Sequence, residues 1–365
     1  MTHSQRRDKL RVGLADAGLD AMLVTDLVNV RYLSGFSGSN AALLVHADDH
    51  CRTILATDGR YRTQAAQQAP DLRVSIERAC GPHLVAMAAR AGAGRLGFES
   101  HVVTVDAYDA LARGVEESPA GMALVRASGI VEGLRQVKDD GEIALLRLAC
   151  EAADAALADL VARGGVAPGR TERQVARELE ALMVHHGADG PSFETIVATG
   201  AHSAIPHHRP TDAVLGRGDF VKIDFGALVG GYHSDMTRTF VLDTAAQWQH
   251  DVYELVARAQ QAGRESLAVG VACQEVDAAA RRVIAAAGYG EYFSHGLGHG
   301  VGLQIHEAPA ISAASLGTLQ AGCAVTVEPG VYLPDRGGVR IEDTLVVRDE
   351  APELLTRFPK ELAIL

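Results

Sequence analysis

The sequence predicts a two-domain α/β protein, and three observations predict it. Its 365 residues exceed the roughly 250 to 300 at which a single hydrophobic core stops growing. The first third alternates short apolar strand-like runs with helical stretches, the pattern of a small α/β domain with a mixed sheet. The remainder opens on a long amphipathic helix and continues through apolar strand patterns interrupted by glycine.

Taken in order, a helix is predicted over Ser4 to Ala17, closed by Gly18, then a strand from Ala21 to Val24. A short helix and the turn Ser34-Gly35-Phe36-Ser37-Gly38-Ser39 lead to strands at Ala41 to Val45 and Thr53 to Ala56. Residues 57–61 turn into a helix reaching Gln68, and the alternation continues past Leu96-Gly97-Phe98 to Leu111. Gly92-Ala93-Gly94 is too short for a nucleotide-cradling loop and reads as a turn. A polar stretch before the helix Glu142 to Arg163 sets the domain boundary, giving domains 1–131 and 132–365. Pro168 and Gly169 interrupt the chain, Thr171 with Gln174 forms a capping box, and a second helix runs to His186. Gly165-Val166, a capped helix, a glycine and a histidine-bearing strand recur at Gly270-Val271, the helix Val276 to Ala287, Gly288 and a strand carrying His295, which suggests a duplicated half-domain.

Composition removes several classes of partner. Lys+Arg 34 against Asp+Glu 46 gives a net charge of −12, so there is no basic field to gather nucleic acid or anionic lipid. The N-terminus is a charged helix rather than a signal peptide, and no apolar run reaches the roughly 18 residues of a membrane span, so a cytoplasmic protein is expected. Cys51, Cys80, Cys150, Cys273 and Cys323 are scattered singly and odd in number; they read as small buried apolar residues rather than disulfides or a thiolate metal site.

The chemistry concentrates in VKIDFGALVGGYHSDMTRTF, residues 221–240. Val221, Ile223 and Phe225 alternate with Lys222, Asp224 and Gly226, the period of a half-buried strand. A hairpin with Val229-Gly230 as its two-residue loop would set Asp224 directly opposite Asp235. Like charges so placed repel unless a cation lies between them, unless the two share a proton, or unless a longer loop makes the facing accidental. Three further segments put charge or imidazole into apolar, glycine-flanked strands: SAIPHHRP (203–210), HGLGHGVGLQIHEAP (295–309), and VTVEPGVY (325–332) with GVRIED (338–343). Glu328 ends a buried-type strand, and Arg340 and Glu342 alternate with apolar residues so that they share a face. Singly, His207, His208, His295 and His306 are ordinary hydrogen-bonded histidines, and Glu328 and Glu342 could pair with Arg340 and Arg336. Jointly, several buried carboxylates require compensating cations, since a lone buried carboxylate costs several kcal/mol.

Asp224, Asp235, His299, Glu328 and Glu342, in the text DFGALVGGYHSDMTRTF, HGLGHGVGLQIHE, VEPGVY and GVRIED, resemble the Xaa-Pro branch of the pita-bread metallopeptidases, the aminopeptidase P and prolidase group. NVRYLSGFSGSNAALLV and ATDGRY resemble the creatinase-like N-terminal domain of its short bacterial members. The resemblance implies a pita-bread catalytic domain with duplicated half-domains behind a smaller creatinase-like α/β domain. It also implies two divalent ions, with Asp224 and Asp235 on one, Asp235, His299, Glu328 and Glu342 on the other, and Asp235 and Glu342 bridging. One imidazole among four carboxylates favours manganese, with cobalt, iron or zinc as alternatives. Glu328 would serve as acid and base, His207 and His306 would stabilise the substrate carbonyl, and Arg340 would orient the site. His295 and Tyr332 would flank the proline ring, with His208 competing with His207 for one role. The expected activity is release of an N-terminal residue from proline-containing peptides by a homodimer of aminopeptidase P type. The rivals are a prolidase, a methionine aminopeptidase and a non-catalytic binding module.

Overall fold

The computed structural model describes residues 1–48, 52–116 and 121–365 and divides into two units, Met1–Arg135 and Gln136–Leu365. Cys51 lies outside the described residues; Cys80, Cys150, Cys273 and Cys323 are buried free thiols.

In the first unit Thr2 and Gln5 form a capping box on α1 (His3–Asp16), each side chain satisfying a backbone N–H of the other's end. There follow β1 (Ala21–Val24), α2 (Leu27–Ser34), β2 (Ala41–His46), β3 (Ile54–Thr57), α3 (Arg62–Gln68), β4 (Arg73–Ile76), α4 (Cys80–Arg90), β5 (Arg95–Phe98), α5 (Val105–Glu116), β6 (Ala123–Arg126) and α6 (Ile130–Gln136). The six strands form one mixed sheet in the order β4-β3-β2-β1-β5-β6, with β1 antiparallel to β2 and parallel to β5. Strand β1 reads AMLV because both of its faces are covered and all four residues are buried.

The second unit repeats one design. Helices α7 (Asp140–Ala162) and α8 (Glu172–His185) precede β7 (Gly190–Pro191), β8 (Ile196–Thr199), β9 (Phe220–Phe225), β10 (Ala227–Val229), β11 (Tyr232–His233) and β12 (Met236–Val241). Helices α9 (Gln247–Glu265) and α10 (Cys273–Ala286) precede β13 (Gly298–Gly300), β14 (Glu307–Ile311), β15 (Ala324–Val327), β16 (Gly330–Leu333), β17 (Gly337–Arg340), β18 (Asp343–Val346) and β19 (Glu353–Leu354). The first helix pair packs Leu157, Leu160, Val175 and Leu179 on Val221, Ile223 and Phe240 of the antiparallel sheet β12-β9-β8. The second packs Val256, Val276 and Ile284 on Val325, Val327 and Leu345 of the antiparallel sheet β14-β13-β15-β18-β19. The expected strand at His295 is instead a bend, and β13 begins at Gly298.

The hairpin register differs from the expected one. Val229 pairs with Tyr232, so the two-residue loop is Gly230-Gly231 rather than Val229-Gly230, and Asp224 faces Thr237 instead of Asp235. The cause is backbone sterics. Both loop glycines have positive φ, 57° and 86°, the type I′ geometry whose twist matches the strands, and Val229 could not adopt it. The slip is two residues, so the alternation of side chains is preserved and Asp235 stays on the face that Asp224 uses.

Candidate metal centre

All five predicted ligands stand at or beside strand ends. Asp224 is the penultimate residue of β9, Asp235 precedes β12, His299 lies within the three-residue β13, Glu328 follows β15, and Glu342 lies between β17 and β18. Gly298 lets β13 approach β15: a Cβ there would lie 2.1 Å from the Thr326 carbonyl oxygen. The five side chains line one cavity of about 270 Å³ with His207, His208 and His306, and with Phe193, Ile196 and Ile305 as apolar wall. His299 Nε2 lies 3.5 Å from Asp235 Oδ2 and 3.4 Å from Glu328 Oε1. Ligand atoms of Asp235, His299 and Glu342 all fall within 4.8 Å of one another.

Neighbouring groups orient these ligands. His299 Nδ1 donates to the Gly300 carbonyl at 3.1 Å, which leaves Nε2 as the free coordinating nitrogen. Thr237 Oγ1 donates to Glu342 Oε2 at 2.6 Å, Thr326 Oγ1 to Glu328 Oε1 at 3.4 Å, and Thr344 Oγ1 to the Asp235 carbonyl at 2.8 Å. Arg340 is 2 % exposed. It donates to the Asp224 carboxylate, to Tyr332 Oη at 2.9 Å, to the Pro206 carbonyl at 3.1 Å and to Thr237 Oγ1 at 3.0 Å. The salt-bridge alternative for the acids is therefore filled only in part. Arg340 Nε stands 3.9 Å from Glu328, and Arg336 lies over the Trp248 ring, 4.1 Å from its centroid.

The electrostatics fit divalent cations. Burial, followed by repulsion from Asp224 and Glu328, pushes the Asp235 carboxyl well above the ordinary range. Burial and then Asp235, Glu328 and Asp224 do the same to Glu342, and burial raises Glu328. Asp224 Oδ1 is buried with no hydrogen-bond partner. Four crowded carboxylates with one buried guanidinium, an orphaned oxygen and one oriented imidazole make a hard, oxygen-rich donor set suited to two divalent ions.

The histidines divide by environment. His207 is exposed on the cavity wall. His306 packs edge-on against His299, ring centroids 4.4 Å apart, and burial, then His299 and His207, lowers its pKa. His208 is buried and its Nε2 lies 2.9 Å from Glu172 Oε2, so that nitrogen is spent within the fold. His295 and Tyr332 stand behind the lining: His295 Nε2 is 2.9 Å from Tyr332 Oη and Nδ1 is 2.8 Å from the Gly296 carbonyl. Burial, then Arg340, lowers the His295 pKa to about 4, and burial raises that of Tyr332 to about 12.

Sequence reasoning missed Thr237, Thr326 and Glu172. Thr237 was legible, because it lies two residues from Asp235 on the same face of an alternating strand. Nothing local singles out Glu172, whose partners are 27 or more residues distant.

A family model described as metallopeptidase family M24 matches residues 144–349, and the model of the creatinase/prolidase N-terminal domain matches residues 6–137. The chain belongs to metallopeptidase family M24. It is 39 % identical over 362 residues to the uncharacterized peptidase YqhT of Bacillus subtilis, covering 98 % of this chain and 99 % of that protein. The solved structure of Xaa-Pro dipeptidase from Bacillus anthracis superposes with a TM-score of 0.94 at 38 % identity over 100 % of both chains. The X-Pro aminopeptidase from Thermotoga maritima gives 0.89 at 32 %, covering 98 % of this chain and 99 % of that one. As an M24 metallopeptidase this protein has the pita-bread catalytic fold anticipated from its motifs, preceded by the creatinase-like α/β unit. No helix among the described residues is long and apolar enough to cross a membrane.

Proposed function

We propose that this metallopeptidase hydrolyses the bond between an N-terminal residue and proline, with Xaa-Pro dipeptides as its preferred substrates. The observation that carries the reading is the single cavity in which Asp224, Asp235, His299, Glu328 and Glu342 converge with His207 and His306. Two divalent ions, manganese by the hardness of the donors, would be held by those five residues and would polarise the scissile carbonyl and acidify water.

The chain's own groups supply the rest. An Xaa-Pro bond is a tertiary amide with no N–H, so its nitrogen must be protonated as it leaves. Glu328 lies in the cavity with its carboxyl raised by burial, the state in which a carboxylate can accept a proton from water and return it to the proline nitrogen. His306 and His207, both on the cavity wall, donate hydrogen bonds to the carbonyl oxygen as negative charge develops there. Arg340 holds Asp224 and the Tyr332 hydroxyl in place from behind. Phe193, Ile196 and Ile305 provide the apolar surface for the substrate side chain and ring.

Support for the dipeptide preference comes from the likeness to the Bacillus anthracis Xaa-Pro dipeptidase along the whole chain. The aminopeptidase P reading is supported by the likeness to the Thermotoga maritima X-Pro aminopeptidase and by the ATDGRY segment. The deciding measurement compares kcat/KM, with manganese added, for an Xaa-Pro dipeptide and for the same sequence extended by two residues. Preference for the dipeptide by about tenfold or more, roughly 1.4 kcal/mol, is the expected result. Preference for the longer peptide selects aminopeptidase P, and cleavage of Met-Ala peptides alone overturns both.

A further inference from the structure

His207 has no secondary structure of its own to hold it. It stands in the connection between β8 and β9, which after a 3₁₀ turn at Gly200–Ala204 joins no sheet. A catalytic imidazole on such a loop is useful only if the backbone around it is fixed, since a displacement near 1 Å can cost about 10²-fold in rate.

Two buried polar side chains fix it. The first is Glu172, the opening residue of α8, whose side chain is fully buried. Its Oε1 accepts from the Thr199 N–H and from His202 Nδ1, both at 2.9 Å. Its Oε2 accepts from His208 Nε2 at 2.9 Å, the Thr211 N–H at 2.9 Å and Thr211 Oγ1 at 2.7 Å. Thr199 and His202 precede His207 and His208 and Thr211 follow it, so one carboxylate ties both limbs of the loop together. The rings of His202 and His208 stack between the limbs at 4.4 Å. The second is Lys222, fully buried on β9, whose Nζ donates to the Ile205 carbonyl at 2.6 Å and the Pro206 carbonyl at 3.3 Å. Arg340 Nη1 adds a bond to the Pro206 carbonyl at 3.1 Å.

Glu172, His202 and His208 have the composition of a metal site, with ligand atoms within 4.8 Å of one another. The lone pairs argue otherwise. A carboxylate offers about four acceptor positions, and here five donors fill them, two of them backbone amides that cannot turn away. Burial alone would raise this carboxyl, but the bonds from His208, Thr199 and Thr211 outweigh it and hold the group ionised, with a pKa of about 2.

We propose that Glu172 is a positioning residue for the reaction: together with Lys222, which holds the Ile205 and Pro206 carbonyls, it locks the 199–211 loop so that the His207 ring projects over the metal centre. This rests on the Xaa-Pro hydrolase reading, in which His207 touches substrate. The substitution Glu172→Gln preserves shape and volume but turns an amide group toward one of the donors, breaking two or more of the five bonds.

The test is a double-mutant cycle on manganese-loaded full-length protein with an Xaa-Pro dipeptide. Glu172→Gln is expected to lower kcat about 10- to 100-fold, with KM changed less than about threefold and bound metal per chain unchanged. His207→Ala, which costs about 10²-fold in the parent, should cost in the Glu172→Gln background only the part of that loss that Glu172→Gln has not already taken, about 10-fold or less, so that the double variant is no slower than His207→Ala alone. Where Glu172→Gln fails to fold, Thr211→Val removes a single donor and should show the same non-additivity at smaller amplitude. A lowered Tm with kcat within twofold of the parent, or fully additive losses, overturns the proposal. If the parent itself shows no Xaa-Pro hydrolysis, the functional reading fails separately. The positioning is then read from the His207 ring NMR signals, assigned by His207→Ala: they should shift or broaden in Glu172→Gln, and unchanged signals overturn it.

Discussion

Two clusters in the second unit share a composition of histidine and carboxylate and differ in what they can do. Asp235, His299 and Glu342 face a cavity beside Asp224, whose Oδ1 is buried without a donor, and burial followed by mutual repulsion drives the carboxyls of Asp235 and Glu342 upward. Glu172, His202 and His208 are as closely spaced, yet every acceptor position of the acid is filled and its pKa is held at about 2. Spacing alone therefore does not make a metal site. The distinction lies in whether the donors present in the protein already satisfy the carboxylate lone pairs, because an unsatisfied buried charge demands a cation and a satisfied one excludes it.

Three experiments sharpen or break this contrast, from the largest expected effect to the smallest. Asp235→Ala removes the carboxylate that the proposed ligand set shares between two ions, so metal loading and activity should fall together to the level of chelated protein, whereas Glu172→Ala should retain its metal. Metal analysis of both purified variants checks this, and equal metal loss in the two would erase the distinction. His306→Ala takes away the hydrogen bond proposed to meet the developing charge without touching a carboxylate, and should reduce kcat about 10²- to 10³-fold with metal retained. Loss of metal in that variant would move His306 from the substrate to the ions.

The smallest effect is a pH dependence of stability. Asp235, Glu328 and Glu342 have raised carboxyl pKa values, so in metal-free protein they weaken the folded state increasingly as pH rises from the ordinary carboxylate value of about 4 through their elevated ones. Bound cations cancel that repulsion. Glu172 has the opposite sign: its contribution is complete above about 4.5 and is lost only as pH falls toward 2, so it is constant across the comparison. The gap in Tm between metal-loaded and chelated protein should accordingly be wider at pH 7.5 than at pH 5 by roughly 3 °C or more. Calorimetry at the two pH values reads the difference directly, and an equal gap would mean that the carboxylates do not repel as their packing implies.

The sequence by itself determined the elements and the chemical inventory. Periodicity placed α1, β1, β2, α7 and α8 to within a few residues, and the capping box of Thr171 and Gln174 is present as read. Asp224, Glu328 and Glu342 stood out because a charge inside an apolar, glycine-flanked strand has no solvent to face, Asp235 because a hairpin would bring it toward Asp224, and His299 only through the resemblance of HGLGHGVGLQIHE to the metallopeptidase motif. The hairpin register was also a local property, since a type I′ turn demands positive φ at both loop positions and Gly230-Gly231 supplies it, which sets Asp224 opposite Thr237 and not Asp235. Only the tertiary structure separated His207 from His208, adjacent residues of one type, because Glu172, 36 positions before His208 in the chain, reaches one ring and leaves the other exposed on the cavity wall. Local pattern reports which way a side chain is turned. The partner that satisfies it comes from elsewhere in the chain, and that partner determines whether a histidine serves the fold or is left free for substrate.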